Sequence, residues 1–175
     1  MAANEIRASA IVQAPAAHVY NIIADYRDGH PRIVPPKYFT WMRVDSGGIG
    51  AGTTISFGMR VLGQSRTLHA TISEPDPGRV LIETYPEDGF ATTFFVEPEG
   101  AAASRVTIAT VLNQRPGLAA ALERFVSRRM LPAIYRQELQ RLAEHAEAGI
   151  TRRFRKAISL EPSNLSLLTS AFSLN

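Results

Sequence analysis

Between Phe39 and Leu112 apolar and polar residues alternate with a period of two, in six short runs near Thr40–Asp45, Thr53–Val61, Arg66–Glu74, Val80–Tyr85, Ala91–Glu97 and Arg105–Leu112. A period of two sends successive side chains to opposite faces, which is the signature of half-buried strands. The runs are separated by turn-forming segments: the glycine run Gly47–Gly52, then LGQS, EPDPGR, PEDGF and PEGAAAS. Glycine, proline and aspartate supply the tight backbone angles that reverse a strand. Connections this short join antiparallel neighbours, because a parallel pair needs a crossover of a dozen or more residues. The middle of the chain is therefore a meandering antiparallel sheet, and one of its faces must be covered.

The flanking segments supply the cover. EIRASAIVQA reads as a further strand, and APAAHVYNIIADY as a helix with Val19, Ile22, Ile23 and Tyr26 on one side. Pro15 suits its first turn, where no backbone N–H is needed. RDGHPRIVPPKY is a loop with room for one helical turn between Asp28 and Ile33. Pro116 and Gly117 open the longest helical segment, which runs to about Ala148. Its apolar side is drawn by Leu118, Leu122, Phe125, Val126, Ile134, Leu139 and Leu142. Pro132 lies inside it and is expected to kink or divide it, since proline removes a backbone bond and collides with the preceding turn. The order of elements gives an α+β chain, with the last helix as the obvious cover for the sheet.

GGIGAG, Gly47 to Gly52, has the look of a phosphate-binding loop. Such loops need a following helix, whose N-terminus holds the phosphate. Here TTISFGMRV follows and alternates like a strand, with no Lys-Ser or Lys-Thr after the last glycine. The segment is read as a turn between two strands.

AIVQAPAAHVYNIIADY, GGIGAGTTISF, ISEPDPGRVLIE, FVEPEGAAASRVTIAT and LPAIYRQELQRL follow one another between about Glu5 and Leu142. In that order they resemble the SRPBCC superfamily, also called START-like or Bet v 1-like, and within it the polyketide cyclase/dehydrase group. The resemblance implies a helix-grip fold. In that fold a curved antiparallel sheet wraps around a long C-terminal helix and encloses an apolar cavity. It further implies that residues 1–149 form one domain that binds a small hydrophobic molecule such as a lipid, hormone, polyketide or quinone. Some members are enzymes, so cyclase, dehydratase or aromatase activity stands as the alternative. Residues 150–175 lie outside the resemblance.

Strand alternation assigns faces without reference to any family. Ile55, Phe57, Met59, Leu68, Ala70, Ile72, Val80, Ile82, Thr84, Thr92, Phe94, Val96, Val106, Ile108 and Thr110 are expected to face the helix. About ten large apolar side chains, at ~1.5–3 kcal/mol each, oppose any reversal of register. Reversal would also bury Arg60 and Glu83, at several kcal/mol per ion before pairing. From this face Ile55, Phe57, Met59, Leu68, Ile82, Thr84, Thr92, Phe94, Ile108 and Thr110 are the expected ligand contacts. Tyr26 and Trp41 join them from the mouth. The expected inner face holds threonines and no ionisable group. Acid–base chemistry would then fall to His30, Arg32 and Tyr38 on the entry segment, or to Tyr135 on the long helix. A bulge at Gly58 or Gly63 would turn Arg60 and His69 inward instead.

Other classes are constrained by composition. The chain has no cysteine, which removes disulfides, thiolate catalysis and cysteine-ligated metals. None of His18, His30, His69 and His145 has a partner at metal-ligand spacing, so no metal and no cofactor is expected. The net charge is +3. Beyond Gly149, Arg152, Arg153, Arg155 and Lys156 against Glu161 account for all of it. The body is thus neutral and offers DNA no basic groove. Contact with RNA or an anionic membrane would have to use TRRFRK, and Leu165, Leu168 and Phe172 beyond it share one helical face. An interaction module working through this tail is the third functional class. No apolar run reaches a membrane span and no signal-like leader opens the chain, so a cytoplasmic setting is expected.

Overall fold

A computed structural model describes the backbone of residues 5–61, 63–112 and 118–159, and the side chains of 5–60, 63–112 and 128–152. Seven strands form one antiparallel sheet: β1 (Glu5–Val12), β2 (Phe39–Ser46), β3 (Thr54–Val61), β4 (Gln64–Asp76), β5 (Val80–Tyr85), β6 (Phe90–Pro98) and β7 (Ser104–Val111). Their spatial order is β1-β7-β6-β5-β4-β3-β2. Consecutive strands from β2 to β7 are neighbours, as short turns require. The two edges, β1 and β2, are joined by α1 (Ala16–Ala24) and the one-turn α2 (His30–Ile33). These helices carry the chain from one edge of the sheet to the other. The long helix α3 (Leu118–Ser159) packs on β1, α1 and α2. The result is the helix-grip arrangement: a curved seven-stranded sheet closed by a C-terminal helix.

α3 runs unbroken through Pro132 and past Gly149 as far as Ser159, so the proline does not divide it. The side chains of Leu118, Leu122, Phe125 and Val126 lie outside the described residues, as do those of TRRFRK beyond Arg152. Residues 160–175, with Leu165, Leu168 and Phe172, lie outside them entirely.

The glycine segment is the turn from β2 into β3. Gly47, Gly48, Gly50 and Gly52 all have positive φ, between 59° and 127°. It also clasps the end of α1: Gly48 O accepts from Tyr26 N, and Gly50 N donates to Ala24 O, both at 2.9 Å. At Gly50 an added Cβ would stand 2.3 Å from Glu74 Oε2. That carboxylate accepts from Tyr20 Oη and Ala51 N, each at 2.6 Å. The glycines therefore fix the loop against α1 and β4, and no helix follows them.

The core lies between the sheet and the helices. Ile55, Phe57, Leu68, Ala70, Ile72, Phe94, Val96, Val106 and Ile108 are buried on the inner face, with Ile134, Leu139 and Leu142 from α3. Strands β3 and β4 pair without interruption, so Gly58 and Gly63 open no bulge between them, and Arg60 and His69 stay exposed.

Strand β5 departs from the expectation. Leu81, Glu83 and Tyr85 are buried, whereas Val80 and Ile82 are half-exposed and Thr84 is exposed. Opposite residues of an antiparallel pair share a face. Leu81 pairs with Phe94, Glu83 pairs with Thr92 on one side and Ile72 on the other, and all of these face inward. Ile82 and Thr84 accordingly lie on the outer face. The expected penalty for burying Glu83 is met by hydrogen bonds. Two donors to a carboxylate, at ~1.5–3 kcal/mol each, are comparable with the several kcal/mol of desolvation.

Trp41 is the second departure. The β2–β3 register slips between Phe39 and Trp41, so Phe39, Met42 and Val44 turn toward the core. Trp41 is left 45% exposed, its indole lying across Gly58 on the outer face. Only a residue without a side chain leaves room there, since a Cβ at Gly58 would meet the indole nitrogen at 2.3 Å.

Candidate functional site

The inner face of the sheet is not free of ionisable groups. Glu83, 5% exposed, sits at its centre on β5. Tyr26, just past α1, donates its hydroxyl to Glu83 Oε1 at 2.7 Å, and Tyr85 donates to Oε2 at 2.5 Å. His30 Nε2 stands 3.6 Å from Oε1. The other imidazole nitrogen, Nδ1, lies 2.7 Å from the carbonyl of Ile23, so it carries a hydrogen and donates it there. The ring is thereby fixed with Nε2 toward the carboxylate. It is stacked on Tyr26, with centroids 4.5 Å apart, and meets Phe94 edge-on at 5.6 Å. On the other side Tyr85 stacks on Phe90 at 4.3 Å and takes Phe57 edge-on at 6.0 Å.

Helix α3 faces this cluster with Tyr135 and Glu138. Tyr135 Oη is hydrogen-bonded to Thr110 Oγ1 on β7, which bonds Thr92 Oγ1 on β6 at 2.7 Å. Glu138 is 3% exposed, and no hydrogen bond or ion pair reaches its carboxyl among the described residues. Burial, reinforced by the charge of Glu83, holds the Glu138 carboxyl well above the usual carboxylate range. Burial likewise pushes up the hydroxyls of Tyr26, Tyr85 and Tyr135, and electrostatic interaction with the neighbouring Glu83 and Glu138 adds to it in each case. The two carboxyls and three phenols thus share one electrostatic neighbourhood. Chemically it offers an acceptor fixed by two donors (Glu83), a neutral acid (Glu138), a fixed imidazole and a phenol–threonine chain.

The sequence-derived candidates divide. His30, Tyr26, Phe57, Phe94, Thr92, Thr110 and Tyr135 belong to this cluster. Ile55, Leu68 and Ile108 are buried on the same face, and Met59 is half-buried at its margin. Tyr38 is buried at the start of β2, and among the described residues no hydrogen bond reaches its hydroxyl. Ile82, Thr84 and Trp41 point away from the interior, for the reasons of register given above. Arg32 parts from His30 because α2 is a single turn with one side inward. Its Nε donates to the carbonyl of Asp28 at 3.0 Å, and it lines a surface groove of about 530 Å³ with His18 and His145.

His69 belongs to a separate outer-face cluster, in which Ser56 Oγ contacts both Asp45 Oδ2 and, at 2.9 Å, His69 Nδ1. The carboxylate of Asp45 can only accept, so the serine hydrogen points to it and His69 Nδ1 donates to the serine. The histidine is therefore not placed to take the serine proton, as nucleophilic catalysis requires.

Glu83, Tyr85 and Glu138 were not foreseen. Glu138 did leave a trace in the sequence: it falls between Ile134, Tyr135, Leu139 and Leu142 on an otherwise apolar helical face. Glu83, between Leu81 and Tyr85, left a weaker one.

No curated protein matches the chain. Among solved structures it is similar to the KanY protein (24% identity, 84% of this chain and 99% of that one, TM-score 0.73). It is also similar to a START superfamily protein from Mycobacterium smegmatis (13%, 82% and 97%, TM-score 0.61). A third neighbour is the Zhui aromatase/cyclase from Streptomyces sp. R1128 (20%, 87% and 96%, TM-score 0.60). At these identities the likeness is one of fold, and it agrees with the sheet and helix described above. The family described as polyketide cyclase/dehydrase and lipid transport matches residues 4–147, most of the length, and this chain belongs to it.

Proposed function

We propose that residues 1–149 bind a small, largely apolar molecule between the sheet and α3, in a cytoplasmic setting with which the lack of cysteine is consistent. The ligand lies against Phe57, Phe94 and Ile108 and directs its polar end to the Glu83–Glu138 cluster. One observation carries this reading: a carboxyl as buried as Glu138 has no protein partner among the described residues. A carboxyl on so buried a residue, with no donor from the described residues, is costly to keep, and one that persists calls for a role. A ligand that completes its hydrogen bonding supplies one. The family's description, cyclase/dehydrase and lipid transport, supports the same reading.

Native mass spectrometry of freshly purified protein, followed by solvent extraction, tests it. A defined apolar adduct is expected, and Ile108→Trp, which fills the inner face, should lose it while still unfolding cooperatively. An adduct that persists in folded Ile108→Trp protein would refute the placement.

The split between the two carboxyls favours a second reading, dehydration or cyclisation of the bound molecule. In this reading Glu83 takes a proton from carbon. Neutral Glu138 gives its proton to a departing hydroxyl, which leaves as water as the carbon–carbon double bond forms. Turnover of a β-hydroxyketone probe that survives Glu138→Leu would argue against this step.

A further inference from the structure

We propose that the interior site selects ligands whose deepest group is a phenolic or enolic hydroxyl and rejects those that place a carboxylate there. This rests on the interior-binding reading and goes beyond it by naming the group recognised. Glu83 already accepts one hydroxyl on each oxygen, from Tyr26 and Tyr85. Glu138 faces the same space from α3 with its hydrogen-bonding capacity unused by any described residue. One turn away, Tyr135 Oη is engaged with Thr110, which ties that phenol to the sheet. A hydroxyl both donates and accepts, so it complements the free carboxyl of Glu138 whichever oxygen carries the hydrogen. A carboxylate would bring a third carboxyl group into a space that already holds two. His30 does not relieve this, since its Nδ1 is committed to Ile23 and its Nε2 to the Glu83 side. Like charges brought together without solvent are strongly disfavoured, and a site built around a hydroxyl discriminates by leaving its own polar groups unpaired with the wrong ligand.

The test uses three probes of one shape: 2-naphthol, 2-naphthoate and 2-methylnaphthalene. Their binding to the full chain is measured at pH 7.5 by titration calorimetry or fluorescence. The naphthol should bind at least about tenfold more tightly than the naphthoate, a margin one unfavourable charge contact readily supplies. In Glu138→Leu, whose folding is checked by its melting curve, the preference for naphthol over methylnaphthalene should collapse to within about threefold. In Glu138→Gln, which keeps a neutral donor and acceptor, most of that preference should remain. Naphthoate binding as tightly as naphthol, or a naphthol preference unchanged in Glu138→Leu, overturns the inference while leaving interior binding intact. Failure of all three probes to bind overturns both readings together.

Discussion

Replacing Tyr85 by Phe isolates one hydrogen bond in the buried cluster. The ring contacts survive, because Phe keeps the stack on Phe90 and the edge contact with Phe57. What is lost is the 2.5 Å donation to Glu83 Oε2, with the acceptor 5% exposed and out of reach of solvent repair. A hydrogen bond to a charged group is worth ~1.5–3 kcal/mol, and that is the expected loss. For a domain of this size 1 kcal/mol moves the melting temperature by ~2–4 °C, so Tyr85→Phe should melt ~3–12 °C lower. Tyr26→Phe removes the matching 2.7 Å bond to Oε1 while keeping its stack on His30, and should cost a similar amount. The double variant, at ~3–6 kcal/mol, would consume a large part of a typical ~5–15 kcal/mol total. Urea denaturation followed by circular dichroism reads these values from the shift in midpoint at unchanged slope. A loss below ~0.5 kcal/mol in both single variants would mean that Glu83 is hydrated rather than held by the tyrosines, and the burial argument for β5 would fall.

Two further outcomes follow from the same geometry. The Glu138 carboxyl titrates well above its ordinary 4.5, so between that value and its folded one the native state holds a proton the unfolded chain has released. Its contribution to stability is full at low pH and is lost as pH rises; melting temperatures of Glu138→Gln and the parent should be closest near pH 4 and diverge in favour of Gln toward neutrality, and parallel curves would refute the assignment. Gly50→Ala should cost ~1–3 kcal/mol in a chemical melt, because φ is +59° and the new Cβ would strike Glu74, whereas an unchanged midpoint would show that the loop is not clamped as described.

The strands were legible because each is short, alternating and bounded by turn residues, and short turns leave no choice but antiparallel neighbours. The cover helix was legible from its apolar spacing, and the glycine run from the strand that follows it. Side-chain direction was legible only where the two faces differ in character. In β3, Ile55 and Phe57 against Ser56 and Arg60 leave no doubt. In β5, Val80, Ile82 and Thr84 compete with Leu81, Glu83 and Tyr85, and both sets hold two large side chains. Glu83 then decides the choice on its desolvation cost, and the partners that offset it come from the segment just past α1, from α2 and from its own strand, a convergence that no local pattern displays. Trp41 was misplaced for a related reason. One slip of register beside Phe39 exchanges the faces of β2, and nothing in FTWMRV marks it. An inner face without ionisable groups points acid–base chemistry to His30, Arg32, Tyr38 and Tyr135, of which His30 and Tyr135 reach the centre and Arg32 does not.

The two carboxyls at that centre are tolerated by different means, and this gives them different chemistry. Glu83 is held by donors on both oxygens, which favours an acceptor. Glu138 has none from the described residues and sits beside that acceptor, which favours its neutral form. Interchanging the environments would interchange the roles, since nothing intrinsic distinguishes one glutamate from the other. The asymmetry therefore resides in Tyr26 and Tyr85, and the Tyr→Phe variants that probe stability also probe function. Without those donors both oxygens of Glu83 are free to accept from a bound hydroxyl in competition with Glu138. The dependence of the hydroxyl preference on Glu138 should then weaken in Tyr26→Phe/Tyr85→Phe, even though neither tyrosine is its hydrogen-bond partner.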